Sequence, residues 1–167
     1  MTAVADTGPL LVFAKLQRLH LLAELYTEIL IPQAVFHEAV TVGQERGYAD
    51  AVLLQTFVSS HPWPVVPLVV VDETLAGAQL GTGEQQAISI AKAQGMLLLI
   101  DDMDARHVAE QVGVTTRGSL GVLVQAHRQG MLTDAELDEL LATIENRSDI
   151  WINPELCQRL RRTLLNR

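Results

Sequence analysis

The sequence has few of the features that staple, anchor or export a protein. Cys157 is the single cysteine in 167 residues, which excludes an internal disulfide framework and a metal site built from several thiolates. The longest purely apolar runs, such as Met96 to Ile100, are too short to cross a bilayer. The residues before Asp6 contain neither the basic segment nor the long apolar segment of a signal peptide. The sequence therefore predicts no signal peptide, no membrane association and a cytoplasmic location.

Basic residues are scarce as well. Lysine and arginine total 12 against 20 acidic residues, which gives a net charge of −8. A nucleic-acid partner usually requires a basic face, so composition alone argues against one. Carboxylates gathered around a metal ion would contribute to this charge and be neutralised by the ion. Basic residues do crowd the C-terminus, where they form either a solvated helix face or a substrate-binding one: Arg159, Arg161, Arg162 and Arg167.

What the sequence does have is an alternation of short strands and helices. Strands are predicted at 3–5, 29–31 and 96–100, and a further one at 65–71 is confined to a sheet edge by Pro67. Helices are predicted from Leu10 through Ala23, from Pro32 to Gly43, and at 48–58, 103–112 and 120–129. This pattern predicts one α/β domain over residues 1–167, with a mainly parallel sheet and a helical extension at about 133–167.

Polar residues mark where several helices begin. Thr82 with Gln85, and Thr133 with Glu136, have the spacing of a capping box. Asn153 followed by proline is typical of an N-cap and a first-turn proline. Gly95 is expected to end the helix that Thr82 starts.

Acidic residues follow two of the predicted strands. Asp6 ends the first, and Asp101 and Asp102 end the strand at 96–100. Functional sites of open α/β sheets lie outside the carboxyl ends of the strands, so these acids would meet if the two strands are neighbours. The alternative is that each aspartate only caps the helix that follows it.

Two further acids lie on predicted inward helix faces. Glu38 shares a stripe with Val35 and Val42, where a buried carboxylate is costly unless it is paired or bound to a metal; a rim position is the alternative. Glu84 shares a face with Ala87 and Ile88. There the alternative is a glutamate favoured by the dipole of the first helical turn.

Together, Asp6, Glu38, Glu84 and Asp102, with Asp101 beside them, form a set of oxygen ligands that favours Mg²⁺ or Mn²⁺. Such a set can activate a water and stabilise the charge of a phosphate under attack. Residues that could contact a substrate or orient a water lie nearby in the sequence: Thr7, Arg106, Arg117 and Ser119.

At these residues the sequence resembles the PIN-domain family of small metal-dependent nucleases, over nearly the whole chain. The segments Ala5 to Leu11, Ile31 to Glu38 and Leu98 to Asp102 resemble the strand motifs of that family. The chain resembles more narrowly an uncharacterised branch related to the VapC-type toxins. Motifs typical of that branch are Gly83-Glu84, Asp101-Asp102 with Arg106, and Gly118 to Leu123.

The resemblance implies a three-layer α/β/α domain and a divalent-metal-dependent ribonuclease that hydrolyses RNA phosphodiester bonds. By position, the family's metal ligands fall on Asp6, Glu38, Glu84 and Asp102, with Asp101 as a neighbour. In toxin–antitoxin pairs the family also implies a small antitoxin partner and a homodimer.

Other functions remain as alternatives. An aspartate-nucleophile phosphatase needs a second aspartate two residues after the first, where this chain has Gly8. A receiver domain needs its acidic pair after the first strand, whereas the pair here follows a late strand. Asp6-Thr7-Gly8 matches the triplet of aspartic proteases, but that class is mostly β and this sequence has helical patterns. The remaining alternative is a PIN-like scaffold that binds a protein partner or RNA without cutting it.

Overall fold

A computed structural model describes residues 1–67 and 70–165, which fall into two compact units, Met1–Ser119 and Leu120–Arg167. The first unit contains a sheet and most of the helices. The second is helical in its described part. None of the helices in the described ranges combines the length and apolar character needed to cross a membrane.

The sheet of the first unit has parallel strands in the order β3-β2-β1-β4-β5. The parallel sheet confirms the predicted α/β class. The strands are β1 (Thr2–Ala5), β2 (Glu28–Pro32), β3 (Val65–Val66), β4 (Leu97–Leu99) and β5 (Thr116–Arg117).

Helices connect these strands, as parallel pairing requires. A π-helical segment, His37–Val42, joins α3 to α4, and a short 3-10 helix covers Glu73–Leu75. The α-helices of the first unit are α1 (Thr7–Lys15), α2 (Leu19–Leu25), α3 (Gln33–Phe36), α4 (Gly43–Glu45), α5 (Ala49–Ser60), α6 (Thr82–Gln94) and α7 (Met103–Gln111); α8 (Ser119–Arg128) begins at its last residue.

Both faces of the central strands are buried. Val4, Leu30 and Leu98 point to one face and pack with Ala87 and Ile88 of α6. The alternate residues of the same strands, which point to the opposite face, are buried too: Ala3, Ala5, Ile29, Ile31 and Leu99. A sheet covered on both faces explains why these strands read as continuous apolar runs in the sequence.

The helix predicted from Leu10 through Ala23 is broken. Gln17 has φ 56, and the N–H of Arg18 bonds to the carbonyl of Phe13 at 2.8 Å. A left-handed residue closes the end of α1 in this way, so the apolar stripe continues in α2 on a new axis.

The strand predicted at 65–71 is shorter than expected. It covers Val65–Val66 at the edge of the sheet, as Pro67 predicts. Val70 and Val71 are exposed and outside any strand, and residues 68 and 69 lie outside the described ranges. The two-residue strand β5 was not predicted, because Thr116–Arg117 carries no apolar pattern.

Most predicted helix starts agree with the structure to within a residue, but α1 starts at Thr7, three residues before the predicted Leu10. Pro32 ends β2 and is the N-cap of α3 rather than its first residue. Thr133 and Glu136 form the predicted capping box of α9 (Asp134–Asn146), and Asn153 accepts from Glu155 N at 2.9 Å to open α10 (Pro154–Leu165). Gly95 ends α6 with φ 63.

In the second unit, salt bridges between side chains connect α9 and α10. Arg161 donates to Asp138 at 2.7 Å and to Glu145 at 3.3 Å, so this member of the C-terminal basic group has a structural role. Arg159 and Arg162 are exposed, and Arg167 lies outside the described residues.

Candidate functional site

Asp6 and Asp101 follow neighbouring strands at the same edge of the sheet. Ala5 of β1 pairs with Leu99 of β4, and the N–H of Asp6 bonds to the Leu99 carbonyl at 2.9 Å. The two strands are neighbours, so the condition under which these acids meet is satisfied.

The adjacent aspartates of this edge are held differently. Asp102 is the N-cap of α7 and accepts from the N–H of Ala105 at 2.8 Å. Asp101 accepts from the N–H of Ser119 at 2.7 Å and from its hydroxyl at 2.6 Å. Burial raises the pKa of Asp101, while the Ser119 hydrogen bonds and the charge of Arg106 oppose that rise. One of the pair is thus a cap, as the sequence allows.

Glu38 lies at the rim of the site. The predicted inward position was wrong, and the alternative of a rim position is correct. It belongs to the π-helical segment, whose buried residues are Ala39 and Val40, and its own side chain is exposed. The wider π-helical turn changes which residues face the core. The hydroxyl of Thr7 donates to Glu38 Oε2 at 2.9 Å and fixes the carboxylate beside the first turn of α1.

Glu84 caps its own helix. Its Oε2 accepts from the N–H of Gly81 at 2.8 Å, so Gly81 is the N-cap, and Thr82, the predicted N-cap, is the first helical residue. Gln85 therefore does not complete the box; Glu84, one residue earlier, does. Burial raises the pKa of Glu84 despite this bond, and the charges of Asp102 and Glu38 add to the rise.

Asp6 is the most enclosed of these acids, with 6% of its surface exposed. Its pKa is raised from 3.8 to about 7, first by burial and then by the charges of Glu84, Glu38 and Asp101, while the N–H of Thr7 opposes the rise. The acids of the edge therefore act on one another. Acidic side chains crowded around one buried carboxylate create a repulsion that a bound cation relieves.

The donors suit a hard cation, but they are not assembled around one. In the described part of the chain, no three acidic, histidine or cysteine side chains are arranged to hold a metal ion. Each carboxylate instead accepts a hydrogen bond from the protein, as given above. A carboxylate has about four lone-pair positions, so one hydrogen bond leaves capacity for an ion. The chemistry of the set fits Mg²⁺ or Mn²⁺.

The predicted helper residues divide into two groups. Arg106 lies near Asp101, with its Nε donating to Thr116 at 2.9 Å and lying 3.6 Å from Glu110 Oε1. Ser119 is 0% exposed and holds Asp101 through its hydroxyl. Arg117 instead donates to Tyr26 at 3.3 Å and lines a hollow with Thr2 and Leu97 at the amino ends of β1 and β4. The structure does not bring Arg117 to the carboxylates.

Gly83 supports the site in a way that the sequence did not reveal. A Cβ placed on Gly83 would lie 2.9 Å from Oε1 and 3.0 Å from Oε2 of Glu38. Only glycine leaves room for the Glu38 carboxylate against the first turn of α6. The glycine beside Glu84 was visible in the sequence, but its neighbour across the fold was not.

Comparison with known proteins gives a family match and two similar solved folds. The model of the family DUF3368, described as a PIN domain, matches residues 2–165. A PilT N-terminus domain protein, SSO1118 of the hyperthermophilic archaeon Sulfolobus solfataricus P2, is similar in fold at a TM-score of 0.51 and 18% identity. That match covers 75% of this chain and 93% of the other.

A domain of a protein of unknown function from Methanocaldococcus jannaschii DSM 2661 has a TM-score of 0.48 and 20% identity, covering 70% of this chain and 89% of that domain. No curated protein matches the sequence.

Proposed function

Because the chain belongs to the PIN-domain family DUF3368, whose fold is generally that of a nuclease, we propose that it is a divalent-metal-dependent endoribonuclease that hydrolyses RNA phosphodiester bonds. The observation that carries the proposal is the concentration of carboxylates at one edge of the sheet, where burial and mutual repulsion raise the pKa of Asp6 to about 7.

In this proposal Asp6, Glu38, Glu84 and Asp102 hold Mg²⁺ or Mn²⁺, with Asp101 as their neighbour. The bound ion would supply an activated water and stabilise the charge on the phosphate. Thr7 keeps Glu38 in place, and Ser119 does the same for Asp101, as their hydrogen bonds of 2.9 and 2.6 Å support. Arg106, beside Asp101, is the proposed cation for the substrate phosphate.

The direct test is cleavage of a mixed pool of RNAs with Mn²⁺ by the wild type, Asp6→Asn and Asp102→Asn. Asparagine preserves the size of each side chain and can still cap α7. We expect cleavage that both substitutions abolish. Cleavage that survives both would place the activity at another site or in a contaminant.

The family resemblance also supports a narrower proposal, in which the chain is the toxin of a toxin–antitoxin pair and forms a homodimer. A small protein encoded beside it would then suppress both its cleavage and its toxicity on co-expression. If no neighbouring gene product suppresses the cleavage and the toxicity, the toxin role is contradicted, but the nuclease proposal is unaffected.

A second candidate function is a PIN-like scaffold that binds a protein partner or RNA without cutting. One observation favours it: within the described ranges, no three acids are arranged as ready-made metal ligands. Wild-type protein that neither cleaves the pool nor responds to Mn²⁺ would support this candidate.

A further inference from the structure

A hollow of ≈ 190 Å³ opens beside Glu38 in the first unit. Its walls come from α1, the π-helical segment and the start of α5, with Lys15, Arg46, Tyr48 and Asp50 among the lining residues. Glu38 forms part of the wall and is one of the proposed metal ligands. A group bound in this hollow would therefore lie next to the reacting phosphate.

Two exposed side chains give the hollow its chemistry. Tyr48 is 55% exposed, although it lies in a wall, and so offers an aromatic surface to a ligand. Arg46 follows α4, is exposed, and makes no ion pair with any residue in the described ranges. An aromatic surface binds a nucleobase by stacking, and a guanidinium binds a phosphate.

The hollow continues along the surface. A second hollow of ≈ 380 Å³ shares Lys15 and Asp50 with the first and extends to His20 and Phe57. The first alone is smaller than the roughly 300–1,000 Å³ of ordinary small-ligand pockets. Two adjoining hollows suit an extended chain that places successive units along the surface. We call them together the Tyr48 groove.

We propose that the Tyr48 groove binds single-stranded RNA on one side of the cleaved bond, a proposal that rests on the nuclease function above. Tyr48 stacks on a base and Arg46 binds a backbone phosphate. In a duplex the bases are stacked inside the helix and cannot reach Tyr48. The substrate is therefore an unpaired segment, such as a loop or an end.

The test measures RNA binding in the Asp102→Asn background with Mn²⁺, using a fluorescein-labelled oligouridylate and the same strand annealed to its complement. Tyr48→Ala should weaken single-strand binding by roughly 5- to 150-fold, as expected for the loss of one stacked base. Tyr48→Trp should retain it. Arg46→Ala should weaken binding and lower the salt slope by about one.

Matched controls come from the second unit. Trp151 is 93% exposed and Arg128 of α8 is exposed, so Trp151→Ala and Arg128→Ala remove the same kinds of group at a different place. Both should leave the affinity unchanged. Melting temperatures of all variants check that the fold is intact. If Tyr48→Ala does not fold, Tyr48→Trp and Arg46→Ala still test the proposal.

If both Tyr48→Ala and Arg46→Ala bind RNA with wild-type affinity, the proposal is overturned. The exposed apolar residues of α5 would then favour a protein partner at this surface. Equal affinity for the duplex would also overturn it. Because binding is measured without cleavage, the two proposals fail separately. If the wild type does not cleave RNA but Tyr48→Ala and Arg46→Ala weaken binding, only the nuclease proposal is overturned. If the wild type cleaves RNA and both substitutions leave binding unchanged, only the groove proposal is overturned.

Discussion

At the scale of single residues, Asp6 links the site to stability. Its pKa is 3.8 in an ordinary environment and about 7 in the folded protein, so the folded state holds this proton more tightly than the unfolded one. Its contribution to stability is fully present below about pH 4 and is lost as the pH rises to about 7. The loss is on the order of 4 kcal/mol.

Asp6→Asn should therefore stabilise the metal-free protein, and the gain should grow between pH 4.5 and 7.5. Thermal melts of both proteins in EDTA across this range measure it. Asp104→Asn, which removes an exposed carboxylate from α7, controls for the change in net charge. A gain for Asp6→Asn that does not vary with pH would contradict the assigned burial.

Gly83 provides a second residue-scale prediction. In Gly83→Ala the new methyl group would lie 2.9 Å from Glu38 Oε1, so the mobile end of Glu38 must move. Alanine is the better helix former, so the melting temperature should fall little or rise. Cleavage and Mn²⁺ affinity should fall at least tenfold, since a ligand misplaced by about 1 Å can cost two orders of magnitude.

Gly81→Ala is the matched control for this substitution. A Cβ on Gly81 would meet only Glu84 Oε2, at 3.7 Å, which is an ordinary contact. It should retain cleavage. Equal losses in the two variants would show that the first turn of α6, and not the position of Glu38, is responsible.

At the scale of elements, the start of α6 combines a helix cap with a proposed metal ligand. Glu84→Gln should preserve the bond to the Gly81 N–H, because glutamine can also complete a capping box. Glu84→Ala should lose it, at about 1 kcal/mol. Both should lose Mn²⁺-dependent cleavage, whereas only the alanine variant should lose stability in urea unfolding without metal. Cleavage by Glu84→Gln would remove Glu84 from the proposed ligands.

Elements with a strong apolar pattern were predictable from the sequence. The strands β1, β2 and β4 and the helices α6, α7, α9 and α10 each follow such a pattern or a cap, and the positions of Asp6, Asp101 and Asp102 follow from them. The adjacency of β1 and β4 was a condition of the site hypothesis, and the sheet supplies it.

Elements set by tertiary contacts were not predictable. The π-helical segment depends on packing, and assuming an ordinary helix placed Glu38 on an inward face. Gln17 has a left-handed conformation without the usual glycine or asparagine. Arg46 and Tyr48 carry no local signal either, because their place beside Glu38 arises only when α5 packs against the π-helical segment.

At the scale of the whole molecule, the net charge of −8 predicts the response to metal. Millimolar Mn²⁺ should raise the melting temperature of the wild type, because a ligand at a hundredfold excess over its Kd stabilises the folded state by about 2.7 kcal/mol. The rise should be absent in Asp6→Asn and in NaCl of matched ionic strength. An equal rise in Asp6→Asn would place the ion elsewhere.

The short strand β3 also bears on how the protein behaves in concentrated solution. An exposed strand edge can pair with another chain and lead to aggregation. Here the edge is two residues long and lies between Pro64 and Pro67, neither of which has an N–H to offer an incoming strand. Growth of the sheet from copy to copy is blocked at β3, so any homodimer must form through a different surface.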